Sequence, residues 1–561
     1  MNNNSSTLLL QLKSATATSF SLPLPSSSHI LPLPPLLFLA LLPCVFIAPV
    51  LPRLIRHIFF SPLSLLPGPF LAKHGPLFPV LLLRLRLAQS IAALHRQYGA
   101  GSAVVIAPNI VSLSAPEDIR RIYGSHAFRK DARLGKVTFG GVGNVFSELN
   151  PVAHTRLLKL TSPSFRPLAL LSTQPSLHRP LASLCLRLEK DTLLHGSANI
   201  HQLYRLLSFD MLSSALFGHD LGCLEQGGHP VVEDLDAFML QTALRTVLPA
   251  WVCAVLCWLP GVGWTMRADE RLAEYGLAAL EAHRVLYPAP SSSETGDMLT
   301  PLRRSLDSSG QALSDRAIAG NLATYILAGA DTTPSALTFI TWELARRPDI
   351  YAKLREVLER TVREGGMTEG EEWTYERLKE CTYLAAVVKE GLRCYPPTVM
   401  PMTRVVPPEG FRLSAQPGEK SGQVALEPGT LVCASAWTGH YDPLVFDQPG
   451  RFDPGRWLVR DRPADGLGEE EWKESEKKRL ERMEECWMPF GVGVRKCQGR
   501  LLAEIELYLT IATVVSRFSL SLHPSTTEES MRPVELVTLG PKGGRCEIVF
   551  ERRGMDLGLQ R

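Results

Sequence analysis

The chain has 561 residues, long enough for two or three ordinary domains or one large one with an appendage. Its 59 basic and 56 acidic residues nearly cancel, leaving a formal charge of +3 that argues against nucleic acid or any other polyanion as partner. Eleven scattered cysteines, an odd number with no CxxC pair, argue against a disulfide framework or zinc module and fit a reducing cytosolic setting.

Residues 1–29 are rich in Ser, Thr, Asn and Leu, hold one lysine and no acid, and read as a disordered leader. Ile30 to Leu51 carries no charge and has about the length that spans a bilayer, which places a transmembrane anchor at 30–52. Prolines at 32, 34, 35, 43 and 49 depart from an ideal helix, though membrane helices tolerate some. Arg53, Arg56 and His57 follow, against Lys13 alone upstream, so the downstream mass is expected in the cytosol. A cleaved signal peptide is the rival reading, but the apolar region starts late and no small-x-small site follows. Pro67-Gly68-Pro69 closes a stiff, non-helical hinge over 53–69, and 70–561 forms the main domain.

A helical stretch from Leu87 to Tyr98 precedes strand-like runs at Ala103 to Ala107 and Ile110 to Leu113. Phe128 to Val145 is glycine-rich and reads as an irregular loop, and a helix starts at Pro151 carrying His154, Arg156 and Lys159. Ser208 to Gly218 reads as a buried helix. Leu248 to Trp264 is an uncharged run with Trp251, Trp258 and Trp264, broken by Pro249 and Pro260 and too short for a second span. It is either a core helix or an interfacial segment with tryptophans at headgroup level.

Arg316 to Arg347 is a long helical run with a polar island, Ala328-Gly329-Ala330-Asp331-Thr332-Thr333-Pro334. Core helices seldom bury such residues together, because each weakens the helix or desolvates badly. Pro334 has no N–H for the carbonyl of Ala330, and Gly329 lets something approach the backbone closely. The expectation is a kinked helix with a free carbonyl, a carboxylate and a hydroxyl on one groove. Cys381 to Cys394 is helical, with Glu390 and Arg393 three residues apart on one face. Tyr395-Pro396-Pro397, Arg404, Pro449-Gly450-Arg451-Phe452 and Arg456-Trp457 follow in that order. Val459 to Glu485 is dense in charge and reads as a solvated insertion, and the chain from Phe518 looks β-rich.

Between these last two lies Phe490-Gly491-Val492-Gly493-Val494-Arg495-Lys496-Cys497-Gln498-Gly499, then a helix-spaced apolar run from Arg500 to Ser516. The glycines describe a tight loop and place Cys497 at or just before a helix start. Free N–H groups there favour a thiolate, suited to binding a metal centre, and Arg495 can hold an anionic group beside it. A buried free cysteine before a helix is the plainer alternative.

The pattern Phe490-x-x-Gly493-x-Arg495-x-Cys497-x-Gly499 closely resembles the cysteine-ligand loop of the cytochrome P-450 haem-thiolate monooxygenases. The resemblance covers roughly residues 67 to 550. It implies a mainly α fold with a minor β part, one large haem-enclosing domain behind an N-terminal membrane anchor. It implies Cys497 as axial ligand to the iron of haem b, with Phe490 and Gly493 as further cofactor-binding residues and Arg404, Arg495 and His154 at the propionates. The position one turn after His154, usually basic, is Leu158, so another residue compensates or that propionate is held less firmly. Asp331 and Thr332 match the family's proton-delivery pair, and Glu390, Arg393 and Arg451 its structural cluster. Phe139, Phe238, Val399, Met400 and Met402 fall at pocket positions. The chemistry implied is insertion of one oxygen atom from O2 into a lipophilic terpenoid, polyketide or aromatic metabolite, of the fungal microsomal, secondary-metabolite type. Electrons would come from NADPH through a membrane-bound NADPH-cytochrome P-450 reductase, attracted by a basic face near Lys159, Arg166 and Lys496. The setting implied is the endoplasmic reticulum membrane, with a single-pass anchor, membrane lipid as a neighbour and a cytosolic catalytic domain. Two alternatives stay open: a haem-thiolate isomerase or dehydratase acting on peroxides without O2, and a non-catalytic haem sensor.

Overall fold

Helices carry most of the described residues, as the spacing of the apolar positions requires. The computed structural model describes residues 62–75, 86–99, 103–288, 296–365, 371–414, 424–462, 468–535 and 538–553. The leader and the anchor expected at 1–52 lie outside them. Among the described residues no helix is long and apolar enough to cross a membrane.

The helices that position the site are α1 (Pro151–Thr161), α2 (Gln174–His195), α3 (Ile200–Phe217), α4 (Pro230–Val247), α5 (Ala250–Leu256), α6 (Ala268–Leu286), α7 (Asp315–Arg346), α8 (Pro348–Glu364), α9 (Thr382–Cys394), α10 (Glu469–Cys486) and α11 (Arg500–Arg517). Their ends follow local chemistry. Asn150 caps α1 by accepting from the N–H groups of Val152 and Ala153, with Pro151 in the first turn. Ser314 caps α7 through the N–H of Ala317, and α3 stops at Gly218 with φ 80°. Helix α7 is the spine, packed against α3, α6, α8, α9 and α11. Backbones approach closely where side chains are missing: a Cβ on Gly276 of α6 would stand 2.7 Å from the Ala319 carbonyl of α7.

A five-stranded sheet holds β1 (Ala103–Ala107), β2 (Ile110–Leu113), β3 (Arg129–Lys130), β4 (Arg404–Val405) and β5 (Leu431–Cys433), in the order β1-β2-β5-β4-β3. Strands β2 and β5 run parallel and the other neighbours antiparallel, with Lys130 directly opposite Arg404. Ala198–Asn199, Glu547–Arg552 and Phe518–Leu522 form a second sheet, so the C-terminal stretch is β-rich as expected. The architecture is mainly α with a minor β part.

Three expectations change. The described part of the hinge, 62–69, is docked: the Val105 N–H donates to the Pro67 carbonyl at 2.9 Å, and Leu66 is buried. Residues 57–561 therefore form one compact unit, which begins earlier than 70. The charged insertion forms α10, an exposed helix that turns Glu476, Met483 and Cys486 inward. Leu248 to Trp264 is not a core helix, since Trp251, Trp258 and Trp264 are exposed, and it is divided into α5 and a turn at Val262–Thr265.

Candidate active site

The cysteine loop is shaped by its glycines. Gly491 and Gly493 take φ of 66° and 75°, and a Cβ on Gly493 would lie 2.0 Å from the Tyr123 carbonyl. Only glycine fits there. The Cys497 N–H donates to the Phe490 carbonyl at 2.8 Å, closing the loop three residues before α11 begins. The Gln498 amide donates to Thr161 of α1 at 3.0 Å, and the Arg500 guanidinium lies over the Phe490 ring at 5.5 Å.

Of the ten described cysteines, Cys497 alone is exposed; Cys257 is half-buried and the rest are buried. Yet desolvation pushes its thiol above the ordinary value, outweighing the Gly499 N–H and Arg500. A sulfur that is accessible but surrounded by protein faces an internal space rather than bulk water. Burial thus outweighs what the helix start supplies, and a metal cation at the sulfur would favour the thiolate.

Lys130, Arg404 and Arg495 gather nearby with His154. Burial and then the charges of Arg404 and Arg495 push the Lys130 ammonium down to about 7. Burial and Arg404 push Arg495 down to about 10, and burial, Arg495 and Lys130 push His154 down to about 4. Among the described residues none of the three cations pairs with a carboxylate. Lys130 donates to the Phe146 carbonyl, Arg495 to the Glu148 carbonyl at 2.9 Å, and Arg404 to the Thr403 carbonyl at 3.1 Å. The buried Nδ1 of His154 has no partner. Such a cluster costs several kcal/mol unless an anion completes it, roughly 3–5 kcal/mol for each unpaired buried charge. Donors of this kind fit the two carboxylates of haem b, and the Cys497 sulfur fits its iron. Lys130 would supply the cation that Leu158 does not; no motif flagged it, and only the pairing of β3 with β4 brings it there. Tyr123 was missed for the same reason. Its ring underlies Arg404 at 4.7 Å, and its hydroxyl donates to the Met402 carbonyl at 2.6 Å and accepts from the Ala434 N–H at 2.9 Å.

The polar island lies on α7, which runs unbroken through Pro334. The Thr332 hydroxyl donates to the Ala328 carbonyl at 2.8 Å, and Ala328 is exposed although it sits mid-helix. Gly329 is open to a neighbouring helix, not to a ligand: a Cβ there would stand 2.6 Å from Leu212 of α3. Asp331 is held by Arg205 of α3 at 3.2 Å, and that guanidinium also binds Asp236 of α4. Burial raises the Asp331 carboxyl in spite of Arg205. Neither Arg205 nor Asp236 carried any signal in the sequence.

Glu390 and Arg393 pair through two bonds of 2.8 and 2.9 Å, both fully buried. The third member is Arg456, whose Nε donates to Glu390 at 2.9 Å, joined by the Trp457 indole at 3.0 Å. Arg451 is exposed and contributes only its carbonyl, to Arg393 at 3.1 Å and Arg456 at 3.2 Å. The turn at Gln448, with φ 43°, points the Arg451 side chain outward, and the short helix Pro454–Trp457 brings Arg456 back in. Burial alone would raise the Glu390 carboxyl, but Arg393 and Arg456 hold it below the ordinary value. Of the expected pocket residues, Phe139 and Phe238 stack at 4.6 Å in the core. Val399 is buried and Met400 exposed, and Met402 packs beside the sheet.

Residues 69–548 match the family described as Cytochrome P450. The chain belongs to the cytochrome P450 family. This P450 is 28% identical over 484 residues to a cytochrome P450 monooxygenase of Aspergillus terreus, covering 82% of this chain and 90% of that one. It is 27% identical to cytochrome P450 monooxygenase mfmF of Annulohypoxylon moriforme, with 91% and 99% covered. It is 26% identical to a trichothecene C-4 hydroxylase of Trichoderma arundinaceum, with 86% and 91% covered. The P450 is a haem-dependent oxidoreductase of the monooxygenase class, acting on a small molecule with electrons from a redox partner.

Proposed function

We propose that this P450 oxygenates a lipophilic small molecule of fungal secondary metabolism, a terpenoid, polyketide or aromatic compound. The observation that carries the reading is the Cys497 sulfur, accessible within the protein body beside a cation cluster that no carboxylate completes. Relatives named for trichothecene and averantin hydroxylation support the substrate class.

Haem, when bound, supplies oxygen activation, with electron density donated by the Cys497 thiolate. Lys130, Arg404 and Arg495, with His154, would hold its carboxylates. Thr332 keeps a hydroxyl at the accessible stretch of α7 beside Ala328, and Asp331 holds a carboxylate one residue before it. This pair supports monooxygenation over a peroxide isomerase, which has no need of delivered protons. Glu390, Arg393 and Arg456 fix the layer on which the cysteine loop rests.

Lys159, Arg166 and Lys496 are exposed and pair with no carboxylate among the described residues, which supports docking of an acidic NADPH-cytochrome P-450 reductase. Trp251, Val255, Trp258, Leu259, Val262 and Trp264 are exposed together on α5 and the turn after it. They support a membrane-facing surface in addition to the anchor proposed at 30–52, on the endoplasmic reticulum.

The test has two stages. The reduced protein with carbon monoxide should give the red-shifted Soret band of thiolate ligation; a histidine-type band overturns the ligand assignment. Membranes holding the enzyme and reductase are then fed candidate metabolites with NADPH and O2. A product heavier by one oxygen is expected, and rearrangement without oxygen uptake overturns the reaction class.

A further inference from the structure

Where the glycine-rich loop runs on towards α1, the chain makes a tight turn at residues 144–148. Asn144 is fully buried and builds that turn from inside. Its side-chain oxygen accepts from the N–H groups of Phe146 and Ser147, both at 3.0 Å, and its amide donates to the Val137 carbonyl at 3.0 Å. Its N–H donates to the Ser147 hydroxyl at 3.1 Å, and its carbonyl accepts from the Glu148 N–H at 3.0 Å. The remaining N–H of the turn, that of Val145, donates to the side-chain oxygen of Asn321 on α7 at 3.0 Å. Asn321 is also fully buried, and its amide donates to the Ala317 carbonyl at 2.7 Å, which fixes the way its oxygen faces.

The carbonyls of the same turn hold two members of the cation cluster. Lys130 donates to that of Phe146, with its ammonium 4.3 Å from the centre of the Phe146 ring, and Arg495 donates to that of Glu148 at 2.9 Å. Lys130 comes from β3 and Arg495 from the cysteine loop, so cations from two separate elements are tied to one piece of backbone. An ammonium has three N–H donors and a guanidinium five. A bond to one carbonyl therefore leaves the others for an anion and sets the direction they face. A lysine on its flexible four-carbon stem needs such a tether to present its charge at one point.

We propose that Asn321 is a positioning residue for the haem carboxylate site: through the Val145 N–H it anchors the turn whose carbonyls aim Lys130 and Arg495. The proposal rests on the haem reading of that site. Asn321 acts only through the turn, and the helix that carries Asp331 and Thr332 thereby also fixes where two of the three cations stand. A leucine at this position would fill nearly the same volume and accept nothing. The Val145 N–H would lose its partner, and the turn would be free to shift with both cations on it.

The experiment follows haem dissociation as transfer to excess apomyoglobin, from protein loaded with haem or with haem dimethyl ester, whose capped carboxylates carry no charge. Wild type is compared with Asn321→Leu, Ser147→Ala, Lys130→Met and the Asn321→Leu, Lys130→Met double variant. Wild type is first checked for the thiolate-type ferrous carbon monoxide band, whose absence would defeat the haem reading rather than this proposal. Asn321→Leu should lose haem about two- to tenfold faster than wild type, the effect of one hydrogen bond, yet lose the diester no faster. With Lys130→Met already in place, the same substitution should speed haem loss less, because the turn then aims Arg495 alone. Ser147→Ala removes the hydroxyl that braces the turn without touching α7. It should show the same dependence on free carboxylates, and it serves alone if Asn321→Leu prevents folding. Equal acceleration of haem and diester loss overturns the proposal, since a merely structural role would give that result. So does unchanged haem loss, or an effect of Asn321→Leu that is the same with and without Lys130→Met.

Discussion

Arg456 reaches Glu390 with its side chain at 2.9 Å, whereas Arg451, five residues earlier, touches the same cluster only through its carbonyl oxygen. A main-chain carbonyl survives any substitution, and a guanidinium does not. Two arginines in one segment therefore differ in what their loss costs.

Arg456→Ala removes the charged hydrogen bond to Glu390 and the one to the Asp447 carbonyl, while Arg393 still pairs with Glu390. The expected cost is about 1.5–3 kcal/mol for the charged bond, with poorer haem retention. Arg451→Ala should stay within about 0.5 kcal/mol of wild type. Urea unfolding of the haem-loaded protein, with haem content at each step, checks both. Equal effects of the two substitutions would contradict the side-chain assignment.

The cation cluster predicts proton uptake on haem binding. In the free protein the Lys130 ammonium is held near 7 by burial, Arg404 and Arg495, well below its ordinary 10.5. The unfolded chain binds more protons than the folded one between about 7 and 10.5, so this group's contribution to apoprotein stability rises with pH over that window. Carboxylates placed beside it restore the charged form. Haem binding at pH 8 should therefore take up to about one proton at this residue, offset by the proton the Cys497 thiol releases, so it is seen as the difference between wild type and Lys130→Met in the dependence of calorimetric heat on buffer ionisation. Lys130→Met should abolish most of that uptake and speed haem loss by about tenfold to a hundredfold, from ~1.5–3 kcal/mol of charged hydrogen bonding. Lys130→Arg should recover the affinity.

What the sequence could tell follows from distance along the chain. The Cys497 loop, the island around Asp331 and the Glu390–Arg393 pair are local, each complete within about three turns, and their residue types betray them. Lys130 acquires meaning only because β3 pairs with β4, far away in sequence. Arg205 meets Asp331 only because α3 packs on α7, and that packing also explains Gly329, filled by Leu212. Arg456 was visible but was passed over for Arg451, since spacing alone cannot say which way a turn points. The docked 62–69 segment looked like a linker because prolines suit a packed joint as well as a free one.

The two glycines of the cysteine loop should behave differently. Both adopt left-handed backbone, at φ of 66° and 75°, where an L side chain costs about 1–2 kcal/mol. A Cβ at Gly491 meets nothing, so Gly491→Ala should cost about that much and keep the thiolate spectrum. A Cβ at Gly493 meets the Tyr123 carbonyl at 2.0 Å, and backbone cannot swing aside as a side chain can. Gly493→Ala should yield protein with little haem. The ratio of Soret to protein absorbance measures both, and a well-loaded Gly493→Ala protein would contradict the close approach.

The exposed tryptophans give the last prediction. Trp251 and Trp258 are 71% and 83% exposed, at positions where a soluble surface gains nothing from an indole. Immersing about 100 Å² of each ring in a lipid interface would contribute ~2.5 kcal/mol. A form lacking the proposed anchor, residues 57–561, should still sediment with phosphatidylcholine vesicles. Trp251→Asp with Trp258→Asp removes that apolar surface and adds two charges. Partition should fall at least about a hundredfold, while the carbon monoxide spectrum stays that of the parent, since neither ring is part of the core. Salt should change little, because the attraction is apolar rather than ionic. Unchanged sedimentation would remove α5 and the turn after it from the membrane-facing surface and leave attachment to the anchor alone.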